Sequence, residues 1–212
     1  MKQLLKKMKD RSGEPQEADA LQSRKKIPTK KGPTENTDPN RIEMVIVSDN
    51  HMKTTGLKKV LEYHADTTDY FLHCGDSNLN HDHALMKAFT TVKGNTDFMQ
   101  KYQNEEKVEL VNGELVWIVH GHMHQVNRDV NALLQAAKTF ETIPSIILYG
   151  HTHRVDVKMI EGCLIINPGS ISSPRDGMIC TYAKLVVTPE RYEVAILDVK
   201  NHKAIKEFQF PK

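Results

Sequence analysis

Residues 42–51 read IEMVIVSDNH. Ile42–Val47 is a short, β-branched apolar run, the mark of a buried strand. Ser48-Asp49-Asn50-His51 follows it at once. Asp49 and His51 stand two apart, so at a strand end both side chains can project to one side. The same arrangement recurs downstream. Gly75-Asp76 follows the strand-like Tyr70–His73, and Gly94-Asn95-Thr96-Asp97 follows Thr91–Lys93. His120-Gly121-His122 follows the run around Trp117, and Gly150-His151-Thr152-His153 follows Ser145–Tyr149. In open α/β sheets ligands bind outside the carboxyl ends of strands, so five polar clusters in that position predict one composite site.

The segments between the clusters decide the fold class. Gly56–Ala65, His83–Phe89 and Val130–Phe140 have apolar residues at helical spacing. Val108–Val111 and Glu114–Val119 flank Asn112-Gly113, a hairpin signal. Strand-like runs close the chain at Val155–Ile160, Cys163–Ile166, Met178–Val187, Tyr192–Asp198 and Ala204–Phe208. Strands and helices alternate first, and strands dominate later. That order predicts an α+β fold, a four-layer α/β/β/α sandwich of two packed mixed sheets flanked by helices.

Composition sets the limits. The 212 residues are 39% hydrophobic and 26% charged, which excludes a collagen, a wholly disordered chain and a disulfide scaffold. The formal charge of +2 hides a division near Arg41. Residues 1–41 hold 11 Lys/Arg and 6 Asp/Glu, a net of 11 − 6 = +5, with no aromatic residue and no His. They are read as a disordered basic leader. Residues 42–212 carry 18 − 21 = −3 and form the second unit. A negative domain is poorly suited to gripping nucleic acid. No apolar stretch is long enough to span a membrane, and the basic start lacks the apolar run of a secretory signal. Cys74, Cys163 and Cys180 are odd in number and widely spaced, which argues for a reducing cytoplasm. Cys163 and Cys180 read as buried small hydrophobes.

The clusters offer Asp49, His51, Asp76, Asn95, His120, His151 and His153, a mixed oxygen and nitrogen set with no thiolate. Such a set suits Mn, Fe, Zn or similar ions. Seven ligands exceed the three that a catalytic zinc takes and match two ions sharing a carboxylate. Two divalent ions, two carboxylates and a bridging hydroxide leave about +1, which attracts an anion such as a phosphate ester.

The five motifs resemble those of the calcineurin-like metallophosphoesterases, and look closest to their small YfcE-like phosphodiesterase branch. Asn167-Pro168-Gly169-Ser170 also matches that branch. The resemblance covers Ile42 to the C-terminus. It implies a four-layer sandwich holding two divalent ions, Mn²⁺ first and Ni²⁺, Zn²⁺ or Fe²⁺ as alternatives. By motif, Asp49, His51 and His153 would hold one ion, Asn95, His120 and His151 the other, and Asp76 would bridge them. Asp97 would orient a ligand, and Asn167 with the Pro168-Gly169 turn would shape the floor or only the turn. The implied activity is hydrolysis of small phosphodiesters by a metal-activated hydroxide. Branch members often form dimers or tetramers, so a homo-oligomer stays open. Many larger relatives carry a His where this chain has Thr96, whose hydroxyl is no acid near neutral pH. His122, two residues past a ligand, is the catalytic candidate to replace it. His64, His81, His83, His124 and His202 are read as surface histidines, and His73 with Cys74 as packing residues. The alternative reading is a metal-binding interaction scaffold of the same fold, like the retromer subunit.

Overall fold

The computed structural model describes residues 40–212; the leader expected over residues 1–41 lies almost wholly outside them. The strands are β1 (Ile42–Val47), β2 (Tyr70–His73), β3 (Thr90–Thr91), β4 (Glu105–Glu109), β5 (Leu115–Val119), β6 (Ile146–Leu148), β7 (Val155–Ile160), β8 (Cys163–Pro168), β9 (Thr181–Val187), β10 (Arg191–Asp198) and β11 (Ala204–Pro211). The helices are α1 (Thr55–His64) and α2 (Asn131–Ala137). One sheet runs β11-β10-β9-β1-β2-β3 and the other β4-β5-β6-β8-β7. The first pairs β1, β2 and β3 in parallel and adds β9 antiparallel to β1. The second pairs β5, β6 and β8 in parallel, with antiparallel β4 and β7 at its edges. Both sheets are mixed, as expected.

β1 shows how the layers arise. Alternate residues face opposite ways along a strand. Met44 and Ile46 pack between the sheets with Leu72, Leu185, Ile118, Ile146 and Ile166. Val45 and Val47 face outward onto Leu57, Val60 and Leu61 of α1. On the far side Trp117, Ile147 and Ile165 receive Leu133, Leu134 and Ala137 of α2. The result is helix, sheet, sheet, helix. α2 spans seven residues and has no side-chain cap, so its packing sustains it: each buried leucine contributes about 1.5–3 kcal/mol.

Several boundaries differ from expectation. His83–Phe89 forms no α-helix, only a 3₁₀ turn over Met86–Ala88. Leu85, Met86, Ala88 and Phe89 are buried all the same, so the apolar spacing serves packing without a helix. The Val130–Phe140 helix shortens to α2. β9 starts at Thr181, leaving Met178 and Ile179 exposed. Cys163 is buried as expected, whereas Cys180 is only half-buried.

His64 and His202 are not ordinary surface residues. His64 is 5% exposed. Its Nε2 lies 2.9 Å from the Tyr182 hydroxyl, which lies 2.9 Å from Nδ1 of His202. Tyr182 donates to one imidazole and accepts from the other. Burial, then Lys184 and His202, push the His64 pKa down to about 4. Burial likewise holds His73 at about 4. Both groups bind a proton in the unfolded chain and refuse it when folded, between pH 6.5 and 4. Stability is therefore expected to fall as pH drops through that window, by at most ~1.4 kcal/mol per pH unit per histidine. Urea unfolding between pH 7 and 4.5 measures it. His64→Gln should shallow the slope.

Candidate metal centre

All five polar clusters emerge at the carboxyl ends of β1, β2, β3, β5 and β6, the parallel strands of the two sheets, with two residues intervening after β3. The loop after β1 is tied to the loop after β2. Asp49 N–H donates to the Gly75 carbonyl at 3.1 Å, and His51 N–H to the Asp76 carbonyl at 3.1 Å. Gly150 N–H donates to the His120 carbonyl, also at 3.1 Å. The chain turns sharply here. Asp49, His51, Asp76, His151 and His153 all have φ between 44° and 66°, a left-handed backbone that costs a non-glycine residue about 1–2 kcal/mol. Strain of this kind gathers at functional sites.

One group of potential ligand atoms comprises Asp49, His51 and His153; another comprises Asp49, Asp76 and His120. Within each, the atoms lie no more than 4.8 Å apart. The orientation of each ring is the informative part. His51 Nδ1 donates to Asn78 Oδ1 at 3.1 Å. His153 Nδ1 donates to the Ser173 carbonyl at 2.6 Å. His120 Nδ1 donates to the Cys74 carbonyl at 2.7 Å. In a neutral imidazole with its proton on Nδ1, Nε2 carries a lone pair. His51 Nε2 and His153 Nε2 stand 3.2 Å apart. Asp49 Oδ1 lies 3.2 Å from His153 Nε2 and is buried without a hydrogen-bond donor among the described residues. Three electron pairs converge with no proton between them in that tautomer. They repel one another unless a cation or a proton stands among them, so the residues fit a metal ion.

The second group repeats the pattern. His120 Nε2 is 3.1 Å from Asn95 Oδ1 and 3.4 Å from Asp76 Oδ2. Thr96 N–H clips Asp76 Oδ1 at 2.8 Å, while Oδ2 also reaches His51 Nε2 at 4.0 Å. Asp76 thus touches both groups, and Asp49 is common to both. His151 stands outside them. Its ring centroid is 5.1 Å from that of His120, its backbone N–H donates to Asp49 Oδ2, and its Nε2 is held by the Asn127 amide at 2.8 Å.

The electrostatics follow. Burial alone would raise the Asp49 pKa, but His153, His120 and Ser48 outweigh it and hold the carboxyl low. Asp76 is likewise held well below the carboxylate range, His120 and Thr96 overcoming burial. Burial opposes charge on His120 and His153, yet the two aspartates outweigh it and raise both pKa values. Burial, then His120, lowers His151 and His122. Without a metal the carboxylates draw protons onto the very imidazoles that would bind it.

Other assignments can be placed too. His122 opens a 3₁₀ turn, His122–His124. Its ring is 5.4 Å from His120 and 6.2 Å from His151, and its Nδ1 is buried without a hydrogen-bond partner among the described residues. His124, read as a surface residue, also has a buried Nδ1, edge-on to Trp117. Asp97 accepts the N–H groups of Gly94 and Asn78 at 2.9 and 2.6 Å, so it shapes two loops. Asn167 donates to the Gly150 carbonyl at 2.8 Å and holds the Gly150–Thr152 turn. His73 packs as expected, against Asn50 Oδ1.

Asn78, Ser173 and Asn127 were missed. They orient three of the imidazoles from 20 to 27 residues away. Only Asn78, two residues past Asp76, had a signal in the sequence.

Comparison with known proteins adds an independent line. The sequence model of the calcineurin-like phosphoesterase superfamily domain matches residues 42–190. The Bacillus subtilis (strain 168) protein named "Probable metallophosphoesterase YsnB" is 29% identical over 157 residues, 74% of this chain and 91% of that protein. A solved structure of a predicted phosphoesterase from Streptococcus pneumoniae TIGR4 is 28% identical with a TM-score of 0.75, covering 81% of this chain and 98% of that one. The fold is also shared with Vacuolar Protein Sorting 29 from Cryptosporidium parvum, at 16% identity, TM-score 0.66 and coverage of 81% and 99%. The E. coli phosphoesterase YfcE shares it at 19% identity, TM-score 0.56 and coverage of 79% and 98%.

Proposed function

The chain belongs to the calcineurin-like phosphoesterase superfamily, and from that premise we propose that residues 42–212 form a phosphodiesterase acting on small phosphodiesters. The observation that carries this reading is the convergence of Asp49 Oδ1 with the Nε2 atoms of His51 and His153. Asp49, His51 and His153 would hold one divalent ion, Asn95, His120 and His151 the other, and Asp76 would serve both. Two such ions, manganese foremost, would supply Lewis acidity to lower the pKa of a water and to draw charge from a phosphoryl group.

The chain's own groups do the rest. Asn78, Ser173 and Cys74 fix three imidazoles with Nε2 inward. Thr96 gives its N–H to Asp76, and its hydroxyl lies 3.2 Å from Asn78 Oδ1. That hydroxyl is engaged and is no proton donor to a leaving oxygen. His122, whose ring stands 5.4 Å from that of His120, contacts the leaving oxygen in its place. The three free cysteines fit a reducing, cytoplasmic setting. Among the described residues no helix is long and apolar enough to cross a membrane. The fold shared with Vacuolar Protein Sorting 29 favours the scaffold alternative; the complete set of seven candidate ligands favours the enzyme.

Chelator-stripped protein is expected to be inactive and to recover with Mn²⁺. In a metal-supplemented screen, aryl diesters should be hydrolysed faster than aryl monoesters and 2′,3′-cyclic nucleotides. His122→Ala should slow esters with poor leaving groups more than nitrophenyl esters. Hydrolysis of none of them by metal-loaded protein would support the scaffold instead.

A further inference from the structure

Ten large apolar side chains stand exposed among the described residues. Six of them, Met52, Phe98, Met99, Met123, Met178 and Ile179, sit on loops that carry or adjoin the candidate ligands. Met178 is 97% exposed and Ile179 47%. Exposed apolar side chains gathered around a polar site mark a binding surface.

Two of the six border a cavity of about 440 Å³, whose apolar wall includes Met178, Ile179, Ile171 and Val199. Lys53, Lys59 and Lys200 stand around it, with Asp198 as the acid among its lining residues. The cavity's Ser172 wall adjoins the loop that carries Asp49. Lys53 Nζ donates to the Ser172 carbonyl at 3.2 Å. Ser172 Oγ donates to the carbonyls of Asp49 and Asn50 at 3.1 and 3.0 Å. The next residue, Ser173, holds His153.

Resting on the phosphodiesterase reading, we propose that this cavity is the subsite for an apolar, aromatic arm of the substrate. The phosphate would lie on the metal centre and the lysines would face its anionic flank. Three features favour a small ligand over a protein. The space is concave and within the range that small molecules occupy. Three cations against one acid make its rim positive, which suits a substrate that carries a phosphate. Methionine, unbranched and polarizable, adapts its shape to a ring.

The test is calorimetric titration of manganese-loaded protein with benzylphosphonate and with methylphosphonate, neither of which can be hydrolysed. Benzylphosphonate is expected to bind at least about tenfold more tightly. In Met178→Ser/Ile179→Ser that preference should fall below about threefold, with methylphosphonate bound alike by both proteins. Equal binding of the two phosphonates by wild type, or a preference that survives in the double variant, overturns the subsite. A wild-type dimer that the double variant dissociates, with no ligand preference, assigns the patch to a second copy and overturns it too. Preference without turnover of any diester keeps the subsite and removes the phosphodiesterase reading. Turnover without preference does the reverse.

Discussion

Asp76→Asn is expected to lower kcat/KM by on the order of 10³ or more, which is about 4 kcal/mol of lost transition-state stabilisation. The reason lies in what its two oxygens do. Oδ1 accepts the Thr96 N–H at 2.8 Å, and an amide oxygen can take over that bond. Oδ2 lies 3.4 Å from His120 Nε2 and 4.0 Å from His51 Nε2. An amide nitrogen there presents protons to both imidazoles where a cation needs an electron pair, and it removes one of two carboxylates from a site that must hold two divalent ions. The variant should fold, because the side chain keeps its shape and a buried charge becomes neutral. Circular dichroism should be unchanged. Metal analysis should show the loss of at least one ion. A variant that keeps its rate within tenfold of wild type would refute the dinuclear reading.

The strands and the positions of the clusters were legible because they depend on short-range pattern. β1 is buried on both faces, and its apolar run says so without reference to the rest of the chain. Asp49, His51, Asp76, Asn95, His120 and His153 each follow a strand, and parallel pairing brings those strand ends together. What the sequence could not show depends on distant contacts. His64 looks like a polar residue at a helix end, and only Tyr182, 118 residues away, makes it a buried one. The imidazole orientations were hidden for the same reason. The carbonyls of Ser173 and Cys74 carry no side-chain signature, so the tautomers that aim Nε2 inward are visible only in three dimensions. The His83–Phe89 error has another cause. Leu85, Met86, Ala88 and Phe89 are buried in the turn as they would be on a helix, and the spacing alone could not distinguish one face of a helix from a turn pressed flat against a core.

Gly94→Ala provides the second large effect, and it tests the packing of the site rather than its charge. Gly94 follows β3, and its N–H is already held by Asp97. A Cβ at this position would overlap Asp76 Oδ1 and the Asp76 backbone nitrogen and lie 2.7 Å from Asp76 Cγ. Neither obstacle is the free end of a flexible side chain. The Asp76 carboxylate is clipped by Thr96, and its backbone carbonyl accepts from His51. The alanine must therefore push apart the loops after β2 and β3, which carry Asp76 and Asn95. Overpacking of this kind costs about 1–3 kcal/mol of stability, and activity should fall more than 100-fold because near-ångström shifts of ligands are enough to do so. Gly113→Ala is the control. Gly113 has φ +84°, and a Cβ there would meet nothing within 4 Å, so its substitution costs about 1–2 kcal/mol of backbone strain with no contact to the centre. Similar destabilisation with loss of hydrolysis in Gly94→Ala alone, read by urea unfolding and diester turnover on both variants, would tie the loss to the closeness of Gly94 and Asp76. Equal turnover in the two variants would mean that the site tolerates movement of Asp76.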